Sequence, residues 1–227
     1  MENTSGLKLI LTGATGMVGE GVLHECLLRD DVVAVLIINR KPSGITHPKL
    51  KEIIHADFFD LSPIENELTN YDGCLFCLGV SSVGMKEPEY FKMTYTLTMN
   101  VAQTLSRLND GMTFCYISGA STDSSEKGKL MWARVKGKTE NDLIKLPFKK
   151  VYNFRPGIIE PTKGLKNTLG FYKYFGWLLS IIKLFWSNGF CTLKQLGDAM
   201  INAVKIGYEK QVLEIKDIKL LSQGTKK

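Results

Sequence analysis

Along the chain, short continuous apolar runs alternate with segments in which apolar residues recur every three or four positions. Residues 7–12 form a compact apolar run closed by glycines, the pattern of a buried strand. Val18, Val22, Leu23, Cys26 and Leu27 then follow at helical spacing, which predicts a helix over 18–29. Val32-Val-Ala-Val-Leu-Ile-Ile-Asn39 is continuous, rich in β-branched residues and closed by Arg-Lys-Pro, as in a strand covered on both faces. Further strands are predicted near 50–55, 74–78, 113–118 and 150–154, with helices near 90–108 and 130–145. Apolar strands separated by amphipathic helices imply an α/β fold, a doubly wound parallel sheet. One domain is expected over 1–227. Its core would be 1–157, and 158–227 a small C-terminal helical extension on the substrate side.

Past residue 156 the pattern changes. Residues 169–186 are dense in aromatic and aliphatic side chains, but Lys173, Gly176 and Lys183 interrupt them. Such a segment is too short and too charged to span a bilayer. The first reading is a helix covering the substrate cleft. The alternative is a face for peripheral membrane contact or for self-association, as in a homodimer.

Composition leaves this picture in place. The 227 residues are 44% hydrophobic and 23% charged, enough for a core that folds without staples. The net charge of +6 is scattered in singles and pairs, with no dense basic tract before Thr225-Lys226-Lys227. No nucleic-acid partner is therefore expected, and an acidic, phosphate-bearing small ligand accounts for part of the excess. Cys74 and Cys77 have metal- or redox-pair spacing, yet residues i and i+3 of a strand point to opposite faces. No second pair completes a metal site, so none is expected. Buried free thiols and the absence of a signal-peptide pattern lead to an expected cytoplasmic location.

The chemistry gathers at Thr12-Gly-Ala-Thr-Gly-Met-Val-Gly19, directly after the first strand and opening the first helix. In that context Gly13 permits the sharp turn, Gly16 lets backbone approach a pyrophosphate, and Gly19 allows close helix–strand packing. Thr15, Met17 and Val18 sit among them, where helix N-terminal N–H groups face the phosphates. The second strand ends in Asn39-Arg40-Lys41, where an NAD site would place a carboxylate. A guanidinium fits a 2′-phosphate instead, so NADP is the expected cofactor and NAD the less favoured one. Asp57, ending the third strand, is placed to meet the adenine amino group. Gly79, after the fourth, would let the cofactor pass closely.

These features resemble the short-chain dehydrogenase/reductase superfamily, with its Rossmann-type sheet, and most nearly its atypical NAD(P)-binding, nucleoside-diphosphate-sugar epimerase-like members. The resemblance rests on the glycine loop, the strand at 74–79, Tyr116-Ile-Ser-Gly-Ala-Ser121, Val135-Lys-Gly-Lys-Thr-Glu140 and Phe154-Arg-Pro-Gly157. It implies a site serine, Ser118 or Ser121 with Ser118 preferred, and Pro156 at the cofactor. It also implies a Tyr-x-x-x-Lys pair, in which lysine binds the nicotinamide ribose and lowers the tyrosine's pKa. Lys136 fits that lysine, but Trp132 stands where the tyrosine should be. An indole N–H donates a hydrogen bond and does not titrate usefully near neutral pH. Tyr116 and Lys136 itself, with Glu140 one turn further to pair with it, are the candidates to step in, while Thr94 and Asn100 lie near the superfamily's helical asparagine. The sequence thus implies an oxidoreductase or epimerase-like protein with an altered catalytic tyrosine and an unidentified small-molecule substrate. The alternative is a non-catalytic NADP-binding, sensing or scaffold protein.

Overall fold

The computed structural model describes residues 6–167 and 189–225, so the aromatic stretch 169–186 lies outside the described residues. From the N-terminus run β1 (Leu7–Thr12), α1 (Met17–Leu28), β2 (Val32–Asn39), β3 (Leu50–Ile54), a short 3-10 turn (Ser62–Glu67) and β4 (Gly73–Phe76). The helical run after β4 comprises α2 (Glu87–Phe91), a π turn (Lys92–Thr96) and α3 (Leu97–Leu108). Next come β5 (Thr113–Ile117), α4 (Met131–Leu143), β6 (Lys150–Arg155), β7 (Ile158–Glu160) and β8 (Phe190–Thr192). The chain closes with α5 (Leu193–Ile206), β9 (Val212–Glu214) and α6 (Ile215–Ser222).

Seven strands form one sheet in the order β3-β2-β1-β4-β5-β6-β9, and every neighbouring pair is parallel. Parallel strands expose no polar face, and their side chains alternate between two apolar layers. Leu9, Leu11, Val35, Ile37, Cys115 and Phe154 pack towards α1, α5 and α6. Ile10, Leu36, Ile38, Phe76, Phe114 and Tyr116 pack towards α3 and α4. Cys74 belongs to the second layer and Cys77 packs on the first, which separates the pair as the strand geometry requires. All five cysteines are free.

The predicted strands and helices of the first 157 residues are present, with small shifts at their ends. Residues 193–222, left undivided in the sequence reading, add a seventh strand and two covering helices to the core. A capping box between Thr192 and Gln195 starts α5, and Gly207 at φ 72° ends it. These are the preferred chemistries at the two ends of a helix. Among the described residues, no helix is long and apolar enough to cross a membrane.

Close backbone packing makes one glycine here a stability test. Gly137 of α4 lies on the loop after β5, where an added Cβ would sit 1.8 Å from the Asp123 carbonyl oxygen. Gly137→Ala is expected to cost about 2 kcal/mol or more and to lower Tm by roughly 5 °C in a thermal melt. An unchanged melting temperature would contradict this packing.

Candidate functional site

After β1 the chain runs outward to β2 and β3. It then returns past β1 to β4 and continues to the other edge. The loops leaving β1 and β4 therefore diverge, and a cleft opens at the carboxyl ends of these strands. Gly13 turns there at φ 78°, and a Cβ on it would lie 2.8 Å from the Cys77 carbonyl carbon and oxygen. A Cβ on Gly19 would lie 2.0 Å from the Gly13 oxygen. The Gly13 carbonyl also accepts the Gly16 N–H at 3.0 Å. The turn, the helix and the neighbouring strand thus meet backbone to backbone.

Gly16 is the N-cap of α1 and supplies no side-chain cap. The N–H groups of Met17, Val18 and Gly19 consequently lack intrahelical acceptors and face outward at the positive end of the helix dipole. The cleft before them has a volume of about 260 Å³. Gly13, Thr15 and Gly16 form one wall, Ile38, Asn39 and Arg40 the end of β2, and Cys77, Leu78 and Gly79 the exit from β4, with Phe58 beside them. A Cβ on Gly79 would meet nothing within 4 Å, and one on Gly16 only the Gly13 oxygen at 3.5 Å. Open space faces both glycines, the wall offers free N–H donors, and a cation stands at one end. This donor set fits a dinucleotide.

Five of the expected cofactor residues line this cleft, and Asp57, Lys136 and Pro156 do not. Gly13, Thr15, Gly16, Arg40 and Gly79 line the cleft, while Met17 and Val18 lie partly buried in the first turn of α1. Asp57 is not among the lining residues. Its Oδ1 accepts the Phe59 N–H at 2.8 Å, so its carboxylate caps its own turn, and Phe58 reaches the wall instead. Pro156 is buried, and its carbonyl accepts the Ala120 N–H at 2.9 Å. The sequence reading missed Phe58, Ile38, Asn39, Cys77 and Leu78. Asn39 carried a signal, since it ends the strand that selects the cofactor.

The region at the end of β5 and along α4 is arranged differently. The Ser118 hydroxyl is buried and donates to Glu140 Oε1 at 2.5 Å. Arg155 donates from Nε to the same oxygen at 3.0 Å and from Nη2 to Oε2. Ser118, expected as the site serine, is not among the residues that line the cleft. Its single O–H donor is committed to the buried carboxylate. Ser121 is exposed and held at φ 66°, a conformation uncommon for a non-glycine residue.

Lys136 turns its ammonium onto the Ser118 carbonyl. Burial pushes its pKa down to about 8, against the opposing attraction of Glu140. Trp132 is half-buried in the first turn of the same helix, one turn from Lys136 and therefore on its face. Tyr116 is buried in the core, and that burial raises its phenol far above the ordinary value, which does not suit a proton donor near neutral pH. Thr94 is buried inside the π turn, and Asn100 donates to the Phe58 carbonyl at 3.0 Å.

The fold and cleft define a dinucleotide-binding protein of the Rossmann type. The sequence matches the NAD dependent epimerase/dehydratase family over residues 9–129, more than half of its length, and the chain belongs to that family. Among curated proteins it is similar to protein FMP52-1, mitochondrial, of Scheffersomyces stipitis, with 27% identity covering 74% of this chain and 76% of that protein. Protein FMP52, mitochondrial, of Candida albicans is 22% identical, covering 78% and 81% of the two chains. Among solved structures, the Bordetella bronchiseptica enzyme WbmG in complex with NAD superposes with a TM-score of 0.68 at 13% identity, covering 98% of this chain and 79% of that one. ADP-L-glycero-D-manno-heptose-6-epimerase of Helicobacter pylori gives a TM-score of 0.68 at 14% identity, covering 98% and 84%.

The expected cytoplasmic location does not stand, because the curated relatives are named mitochondrial. Buried free cysteines argue against an oxidising compartment and do not distinguish one reducing compartment from another.

The depressed pKa of Lys136 gives a signed prediction. Below about pH 8 the folded protein carries this charge buried, and the penalty is present in full. Between about 8 and the ordinary value of 10.5 the unfolded chain binds the extra proton, so the penalty lifts as pH rises. Relative to Lys136→Met, the wild type should gain up to roughly 3 kcal/mol in denaturant unfolding across that window. A stability difference independent of pH would contradict the assignment.

Proposed function

We propose that the cleft takes NADP, and that the chain is an NADP-binding oxidoreductase or nucleoside-diphosphate-sugar epimerase-like protein whose proton handling does not run through a tyrosine. Arg40 carries the reading. It is exposed in the cleft wall at the end of β2, no carboxylate among the residues lining the cleft accepts from it, and its fork matches a 2′-phosphate bidentately. Bound there, NADP would supply hydride transfer. The amides of Gly13, Thr15, Met17, Val18 and Gly19 hold the phosphates in this reading. Gly16, whose own N–H is given to the Gly13 carbonyl, leaves room for them, and Gly79 admits the backbone of the ligand. Lys136, whose ammonium sits on the Ser118 carbonyl at the end of β5, serves the nicotinamide ribose. WbmG was solved with NAD, which supports the NAD(P) class; the choice of NADP rests on Arg40.

A second reading, cofactor binding without turnover, is favoured by the Ser118–Glu140 bond of 2.5 Å. With Trp132 in the tyrosine position, it leaves Lys136 and the exposed Ser121 as the groups that could serve turnover.

Calorimetric titration separates the cofactors. Arg40→Ala should cost roughly 1.5–3 kcal/mol of NADP affinity and leave NAD nearly unchanged. Equal losses for both would remove the basis of the assignment.

Turnover separates the two readings. The wild type is expected to show little hydride transfer with a panel of generic carbonyl and alcohol substrates. Trp132→Tyr places a phenol one turn from Lys136, and about 10²-fold more activity is expected from it. Robust NADP-dependent turnover by the wild type that survives Lys136→Ala would place the chemistry elsewhere in the cleft.

A further inference from the structure

We propose that Glu52, on β3 outside the cleft, is the positioning residue that sets preference for a 2′-phosphorylated cofactor by closing the loop that carries Arg40 and Lys41. The proposal rests on the NADP reading above.

Glu52 lies opposite Ile37 in the β2–β3 register, hence on the same face of the sheet as Asn39. One oxygen, Oε1, accepts the Asn39 side-chain Nδ2–H at 2.8 Å and the Ser43 backbone N–H at 2.8 Å. Both ends of the three-residue loop 40–42 are thereby tied to one atom of the neighbouring strand. Asn39 is nearly fully buried, at 3% exposure, so its end is fixed. Pro42 adds a locked backbone φ next to the second tie. Arg40 and Lys41 are exposed, and no carboxylate among the described residues pairs with either. The loop therefore presents two free cations from a closed frame at the rim of the cleft.

The loop must be held to be selective. A guanidinium on a free loop loses conformational entropy when it binds, and a pre-closed loop has already lost it. Charge alone predicts the opposite effect, because a carboxylate near the site repels a phosphate. The two roles of Glu52, position and charge, thus differ in sign and can be separated by substitution. Glu52→Asp keeps the charge and withdraws the oxygen by one methylene. Glu52→Gln removes the charge and keeps an oxygen acceptor in place.

The experiment is calorimetric titration of NADP and of NAD into wild type, Glu52→Asp and Glu52→Gln, with thermal melts to confirm folding. The wild-type ratio of NADP to NAD affinity decides the reading beneath, and a ratio near one overturns that reading. Glu52→Asp should bind NADP about tenfold more weakly, the lower range for a charge-assisted contact, with NAD unchanged. Glu52→Gln should stay near the wild-type ratio. Faster exchange of the Ser43 amide hydrogen in Glu52→Asp alone would report the opened loop directly. A Glu52→Asp protein with wild-type or tighter NADP binding, or one that loses NAD equally while melting normally, overturns the role of Glu52.

Discussion

Three backbone segments meet where no side chain fits. Gly13 lies against the carbonyl of Cys77, and Gly19 lies against the carbonyl of Gly13, so close that a Cβ on Gly19 would stand 2.0 Å from that oxygen. This contact binds the first turn of α1 to the end of β1 and to the exit of β4. It thereby aims the free N–H groups of the helix at the point where strand order reverses. Everything at the cleft follows from that aim. A bulkier residue at Gly13 or Gly19 would separate the helix from the strand and turn the donors away from the cleft.

The two flanks of the cleft handle charge in opposite ways. On the β1–β2 side, donors and a cation stand open to a ligand, and the acid that closes the cation's loop, Glu52, is set back on β3. On the β5–α4 side, the polar groups are spent on one another. Glu140 collects Ser118 and Arg155, and Arg155 donates onward to Ser124 at 2.6 Å. Buried charges of this kind are tolerated only when fully paired. Their pairing ties the ends of β5 and β6 to α4. The Ser118 hydroxyl is part of that structural network.

What could be read from the sequence depended on how local the determinant was. The run 32–39 and the glycine loop announce themselves through continuous or tightly spaced residues, and both lie where they were expected. Strand β9 has three residues and gains its place only by pairing with β6, so no periodicity reveals it. Ser118 and Ser121 are equivalent by spacing, and burial alone tells them apart. Phe58 lines the cleft where Asp57 was expected, and Asp57 Oδ1 accepts from its own turn, a competition typical of Asp. The Glu52 clamp joins residues of adjacent strands thirteen apart, and a single sequence gives no sign of that pairing.

The central claim is that the cofactor half of the site is assembled while the customary proton-handling half is not. A crystal structure with NADP bound addresses both halves at once. The account predicts the pyrophosphate against the amides of residues 13–19, the 2′-phosphate on Arg40, and the Ser118 hydroxyl still bonded to Glu140. A cofactor bound elsewhere, or a Ser118 hydroxyl turned from Glu140 towards the nicotinamide, would contradict it.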